Sequence, residues 1–158
     1  MICDDISDLM TQARAGNSWM GLDLGTKTIG VAVSDRLLSS ATPLHTIRRV
    51  KFSKDAEALL QIIADREIGA IILGLPRNMD GSEGPRCQST RAFARNLARL
   101  TDLPIGYWDE RLSTVAAERA LLEADTSRKR RAEVIDHVAA GYILQGALDR
   151  ARHIRTVT

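Results

Sequence analysis

Trp19-Met20-Gly21-Leu22-Asp23-Leu24-Gly25-Thr26-Lys27-Thr28-Ile29-Gly30-Val31-Ala32-Val33-Ser34-Asp35 reads as two strands around a tight turn. In the second half, Ile29, Val31 and Val33 alternate with Thr28, Gly30, Ala32 and Ser34, the period-2 pattern of a half-buried strand. In the first half, Leu22 and Leu24 share one face and Asp23 shares the other with Gly21. A carboxylate inside an apolar strand is costly unless it is paired or binds a cation. A small neighbour at Gly21 leaves room beside it. The competing reading is an Asp that only ties down the Gly25-Thr26-Lys27 turn.

Working outward, a third strand is expected over Thr42 to Val50. A helix follows to about Arg66, with Ser53 as N-cap and Ala56, Leu59, Leu60, Ile63 and Ala64 along one side. Gly69-Ala70-Ile71-Ile72-Leu73-Gly74-Leu75 is a continuous apolar run, as in a strand buried on both faces, and Pro76 ends it. A loop covers Pro76 to Gly84, and a helix covers about Pro85 to Leu100. A strand then runs from Ile105 to Glu110, a short helix from Ser113 to Leu122, and a last helix from about Ala132 to Arg152. The order βββαβαβαα implies an α/β fold with a mixed five-stranded sheet flanked by helices. Residues 1–18 are expected to be a loose extension, 19–152 the single domain, and 153–158 a tail.

Two more acids repeat the choice made at Asp23. Glu110 lies at the end of its strand, on the side of Gly106 and Trp108, with Asp109 on the other side; spacing alone barely separates the two. Asp136 shares a helical face with Ala140, Ile143 and Ala147, an apolar stripe that should press on the sheet. Three acids in apolar elements suggest one site, and oxygen-only ligands suit Mg²⁺ or Mn²⁺. His137 falls one position round the helix and reads as a packing or surface residue; Trp108 reads as core, with stacking on a base as the alternative.

The chain has 158 residues, 44% hydrophobic and 27% charged, which suits one globular domain with a sizeable core. No apolar run approaches the ~20 residues of a membrane span, and the acidic N-terminus is no signal peptide. A cytoplasmic protein without membrane attachment is expected, with Cys3 and Cys87 as reduced thiols. Net charge is only +2. One compact basic run stands out, Arg128-Lys129-Arg130-Arg131, close ahead of Asp136 and suited to a phosphate backbone. Lys27 and Arg111 are further phosphate ligands by their nearness in sequence to Asp23 and Glu110, and the Asn78-Met79-Asp80-Gly81-Ser82 loop offers backbone N–H groups and the Ser82 hydroxyl.

The Gly21-to-Asp35 segment resembles the opening of the YqgF family. These bacterial RNase H-like proteins are described both as Holliday-junction resolvases and as pre-16S rRNA nucleases. The resemblance continues through Gly74-Leu75-Pro76, Asn78-Met79-Asp80-Gly81-Ser82-Glu83 and Asp109-Glu110-Arg111-Leu112-Ser113-Thr114. It closes with Ile135-Asp136 and Ala139-Ala140 ahead of Ile143-Leu144-Gln145. It implies an RNase H-like fold with catalytic, metal-binding acids at Asp23, Glu110 and Asp136, and so favours Glu110 over Asp109. The chain departs from the family in its extra N-terminal residues and in Arg77, where an apolar residue is commoner.

Three functions compete. A metal-dependent nuclease would hydrolyse phosphodiesters in precursor rRNA at the 16S 5′ end or, alternatively, in a branched DNA junction. The small net charge and the single basic run favour RNA. A resolvase should be a homodimer, a processing nuclease a monomer or a dimer. The Asp-x-Gly-Thr opening also begins sugar-kinase and actin-like ATPases, but those need two such lobes. A non-catalytic RNA-binding assembly factor is the third class, and three intact acids argue against it.

Overall fold

The computed structural model describes residues 1–112 and 137–157 in full and the backbone alone at 128–136. The expected short helix at Ser113 to Leu122 lies outside the described residues. So do the side chains of Asp136 and of the run Arg128 to Arg131.

The opening stretch forms β1 (Ser18–Leu24) and β2 (Thr28–Ser34), antiparallel neighbours with Asp23 opposite Gly30. The Gly25 N–H closes the turn on the Thr28 carbonyl at 2.8 Å. β3 (Ala41–Arg48) adds antiparallel to β2. The helix α1 (Ile6–Gln12) precedes this hairpin. After α2 (Phe52–Arg66), β4 (Ile68–Leu75) enters parallel to β1, and every one of its residues is buried. α3 (Pro85–Ala98) leads to β5 (Ile105–Asp109), parallel to β4, giving the sheet order β3-β2-β1-β4-β5. A 3-10 turn holds Glu110–Leu112, and α4 spans Arg128–Val157.

Two cores follow from strand alternation. Met20, Leu22, Val31, Ile71 and Leu73 face Leu59 of α2 and Phe93 and Leu97 of α3. Trp19, Ala32, Ala70, Ile72 and Trp108 face Ala140, Ile143, Leu144 and Ala147 of α4. The stripe expected below Asp136 therefore does press on the sheet, with Ala140, Ile143 and Ala147 fully buried.

Three expectations change. The N-terminal stretch is packed: α1 buries Ile6 and Leu9, and Asp5 caps it by accepting from the Asp8 N–H. Ahead of it, residues 1–3 pair with β5, the Cys3 N–H on the Ile105 carbonyl and the Ile105 N–H on that of Met1, both at 2.8 Å. The segment lacks helical periodicity because it covers a sheet edge in extended form before a helix of barely two turns. Ser53 is no N-cap; α2 begins at Phe52, and the Asp55 carboxylate accepts the Val50 N–H instead. At the other end α4 continues through the expected tail, with Ile154 packed on the core.

Candidate active site

α4 descends the sheet antiparallel to β1, and two rows of residues fix its height. In the lower row, Gly21 pairs with Ala32 and Ala32 with Pro43. Ala140 and Leu144 lie over Gly21, and Gly141 lies over Pro43. In the upper row, Asp23 pairs with Gly30 and Gly30 with Thr46. His137 Nδ1 is hydrogen-bonded to Thr46 Oγ1 at 2.9 Å. Two strand residues advance about 6.6 Å, and four helical residues rise about 6 Å. The backbone of position 136, one residue before His137, thus stands at the level of Asp23. Glycine at position 21 allows this close approach of helix to sheet.

Asp23 is buried, with 2% of its surface exposed, and Glu110 is 8% exposed. The parallel register sets Leu22 against Leu73, which brings Asp23 level with Gly74. Glu110 Oε2 lies only 3.4 Å from where a Cβ on Gly74 would stand. Gly74 therefore stands level with Asp23 and beside Glu110, with Ile143 of α4 seated over it. This centre lies at the carboxyl ends of β1, β4 and β5, under α4. Among the described residues no cluster of three metal-ligating side chains occurs; the side chain of Asp136, the third acid expected there, lies outside them. The donor chemistry fits a hard cation, since both described groups, Asp23 and Glu110, are carboxylates.

Asp109 has a different task. It turns away and accepts from Arg111 Nε and Nη2, the latter at 2.8 Å, and from the Arg111 N–H at 3.0 Å. These bonds hold the Asp109 carboxyl below the usual carboxylate range. Arg111 also donates to the Met79 carbonyl and stands beside Gly81, which has a φ of +91°. Arg111 and the 78–82 loop are thus brought together. Both Ser82 donors, the N–H and the hydroxyl, are taken by Asp80 Oδ1 at 2.9 and 2.6 Å. Glu83 is bound by Arg91 and Arg77 and is structural. Trp108 is core, its ring seated against Gly146 of α4. Burial raises both thiols, Cys3 and Cys87, above their ordinary pKa.

Lys27 is exposed on the β1–β2 turn. Two arginines that no motif singles out hold that turn in place. Arg49 Nη1 donates to the Gly25 carbonyl at 2.7 Å, and Arg86 Nη2 to that of Leu24 at 3.3 Å. The one available signal is the crowding of Arg48, Arg49, Lys51 and Lys54 into a short stretch. The basic run ahead of Asp136 is therefore not the only one beside the site.

Fold and buried carboxylates together define an RNase H-like α/β protein with an acidic centre at the carboxyl end of its sheet. The chain belongs to the RuvX family, described as Holliday junction resolvase, which it matches over residues 17–150. A relative from Ruegeria sp. (strain TM1040), named "Putative pre-16S rRNA nuclease", is 74% identical over 99% of both chains. A relative of the same name from Ruegeria pomeroyi is 70% identical over 98% of this chain and 100% of its own. Among solved structures, Thermus thermophilus RuvC in complex with a Holliday junction substrate aligns with a TM-score of 0.51 at 16% identity, over 89% of this chain and 96% of that one. That likeness speaks for the fold.

Proposed function

We propose that this chain is a metal-dependent nuclease that trims the 5′ end of precursor 16S rRNA, with Asp23, Glu110 and Asp136 as its catalytic acids. The observation that carries this reading is the burial of Asp23 and Glu110 on either side of Gly74. Charged groups so removed from water burden the fold, and a site for cations gives that burden a purpose. The three acids would hold Mg²⁺ or Mn²⁺. Such ions, when bound, acidify an attacking water and stabilise charge developing on phosphate oxygens. The chain's own part is to fix the acids on the sheet and its ends, with Gly74 admitting Ile143 of α4 close against the sheet beside them. Lys27, Arg111 and the run Arg128, Lys129, Arg130 and Arg131 would draw in the phosphate backbone. Ser82 would join them only by exchanging Asp80 for a phosphate oxygen.

RNA is favoured by the names of relatives at about 70% identity or more. The family's description supports a second reading, resolution of branched DNA. Purified protein with Mg²⁺ or Mn²⁺ should cut precursor 16S RNA near the mature 5′ end and leave four-way junctions intact. The Asp23→Asn and Glu110→Gln proteins should fold yet fail to cut, each alone losing nearly all activity because the acids act as a unit. Cleavage of junctions but not of RNA reverses the choice of substrate. Normal cleavage by either variant removes its acid from the site.

A further inference from the structure

A groove of about 570 Å³ opens on the far side of the β1–β2 turn from α4, between the starts of α2 and α3. We propose that it holds backbone phosphates of the substrate next to the one cut, a subsite resting on the nuclease reading above. Its walls carry three cations, Arg49, Lys51 and Arg86, against one carboxylate, Asp55. Asp55 is 3% exposed and already committed, accepting the Val50 N–H at 3.1 Å with Arg49 Nε at 3.8 Å. The groove is therefore positive where it meets solvent. Hydroxyls of Thr26 and Ser89 complete its polar lining.

Placement distinguishes this patch from an ordinary solvated face. Arg49 follows β3 and Arg86 opens α3, yet both reach carbonyls of the same turn, those of Gly25 and Leu24. Each spends one donor there and keeps others, since a guanidinium has five. Leu24 and Gly25 follow Asp23 directly, so the groove begins about 3–7 Å along the strand from the Asp23 backbone. A strand whose scissile phosphate lies at Asp23 would bring an adjoining phosphate to the groove. The volume falls in the range that accepts a drug-sized ligand, enough for a nucleotide unit. Lys54 and Lys27, both exposed, extend the positive rim.

The test uses the Lys51→Gln/Arg86→Gln double variant of the full chain, both sites being exposed. In the Asp23→Asn background, RNA binding is followed against salt. With two phosphates no longer neutralised, the log–log slope should fall by about 1.4–1.8. With the acids intact, KM for a long RNA should rise several-fold while kcat at saturation holds. A purely structural role for Arg86 at the Leu24 carbonyl would lower kcat instead. Amide resonances of Thr26 and Phe52 should shift on titration with inorganic phosphate in the parent protein and stay still in the double variant. An unchanged slope and KM, or a fall in kcat alone, overturns the subsite. A protein that binds RNA with the expected slope change and responds to phosphate, yet never cuts, sinks the nuclease reading and leaves the groove as a phosphate site.

Discussion

Gly21→Ala tests how closely α4 is seated on the sheet. A Cβ at position 21 would stand 2.6 Å from Leu144 Cβ, 3.0 Å from the Ala140 carbonyl oxygen and 3.4 Å from Leu144 Cα. Carbon atoms are at ease at about 3.5–4.0 Å, so the deficit at Leu144 is about 1 Å. The obstructing atoms are helix backbone and a Cβ, which cannot swing aside as the end of a long side chain can. The helix must lift, loosening Ile143 over Gly74 and the His137–Thr46 bond. Overpacking of this kind costs about 1–3 kcal/mol, and the rigid neighbours put this site near the upper end. For a domain of this size about 3 kcal/mol lowers Tm by about 6–12 °C. Gly84→Ala is the control: its nearest neighbour, Asn78 Nδ2, is 3.8 Å away, and its φ is −93°. Cleavage should fall further than stability, since a displacement of about 1 Å at a reacting centre can cost 10²-fold. Calorimetry and a cleavage assay on the two variants read both effects. If Gly21→Ala melts within about 2 °C of the parent and cuts normally, α4 does not lie at the height that aligns position 136 with Asp23.

Other outcomes follow from single interactions. Arg111 keeps Asp109 ionised below its ordinary pKa of about 3.9, so the pair stabilises the fold above that pH and loses its effect as pH falls through the lowered value. Arg111→Gln should therefore lower stability only modestly at pH 7, since the pair is partly exposed, and the deficit should shrink as pH falls through the lowered value, measured by urea unfolding. Deleting residues 1–4 removes two backbone hydrogen bonds to β5 and the buried Cys3, and should lower stability by about 2–3 kcal/mol; a loose extension would cost nothing. Neutralising Arg128, Lys129, Arg130 and Arg131 together should flatten the salt dependence of RNA binding by about 0.7–0.9 for each phosphate they neutralise. An unchanged slope would return that run to plain solvated surface.

Legible in the sequence is whatever alternation and burial impose locally. β2 announces itself by Ile29, Val31 and Val33, β4 by an unbroken apolar run, and the α4 stripe by Ala140, Ile143 and Ala147. Glu110 is separable from Asp109 in sequence only by resemblance, because spacing gives two adjacent acids equal claims. Tertiary context separates them: Arg111 binds Asp109, while Glu110 reaches over Gly74. The N-terminal pairing with β5 is not legible, since it depends on a strand edge about a hundred residues away and three residues carry no period. Arg49 and Arg86 escape notice for the same reason. Their role depends on two carbonyls of a distant turn, which no local pattern records.

Gly74 and Gly21 link the fold to the site. Each sits where a Cβ would strike α4, at Ile143 and at Leu144. Packing alone would be satisfied by a helix a little further out and a larger residue in either strand. The closer approach has another effect: it sets the backbone at position 136 of α4 at the level of Asp23, with Glu110 beside Gly74 at the end of β5. Carboxylates gathered this way repel one another and lose hydration, so the arrangement works against stability in the absence of a cation. A chain selected only to fold would gain by replacing these acids with apolar residues of similar size. Two glycines that let Ile143 and Leu144 close onto the sheet thus tie the seating of the helix to the chemistry proposed for the acids.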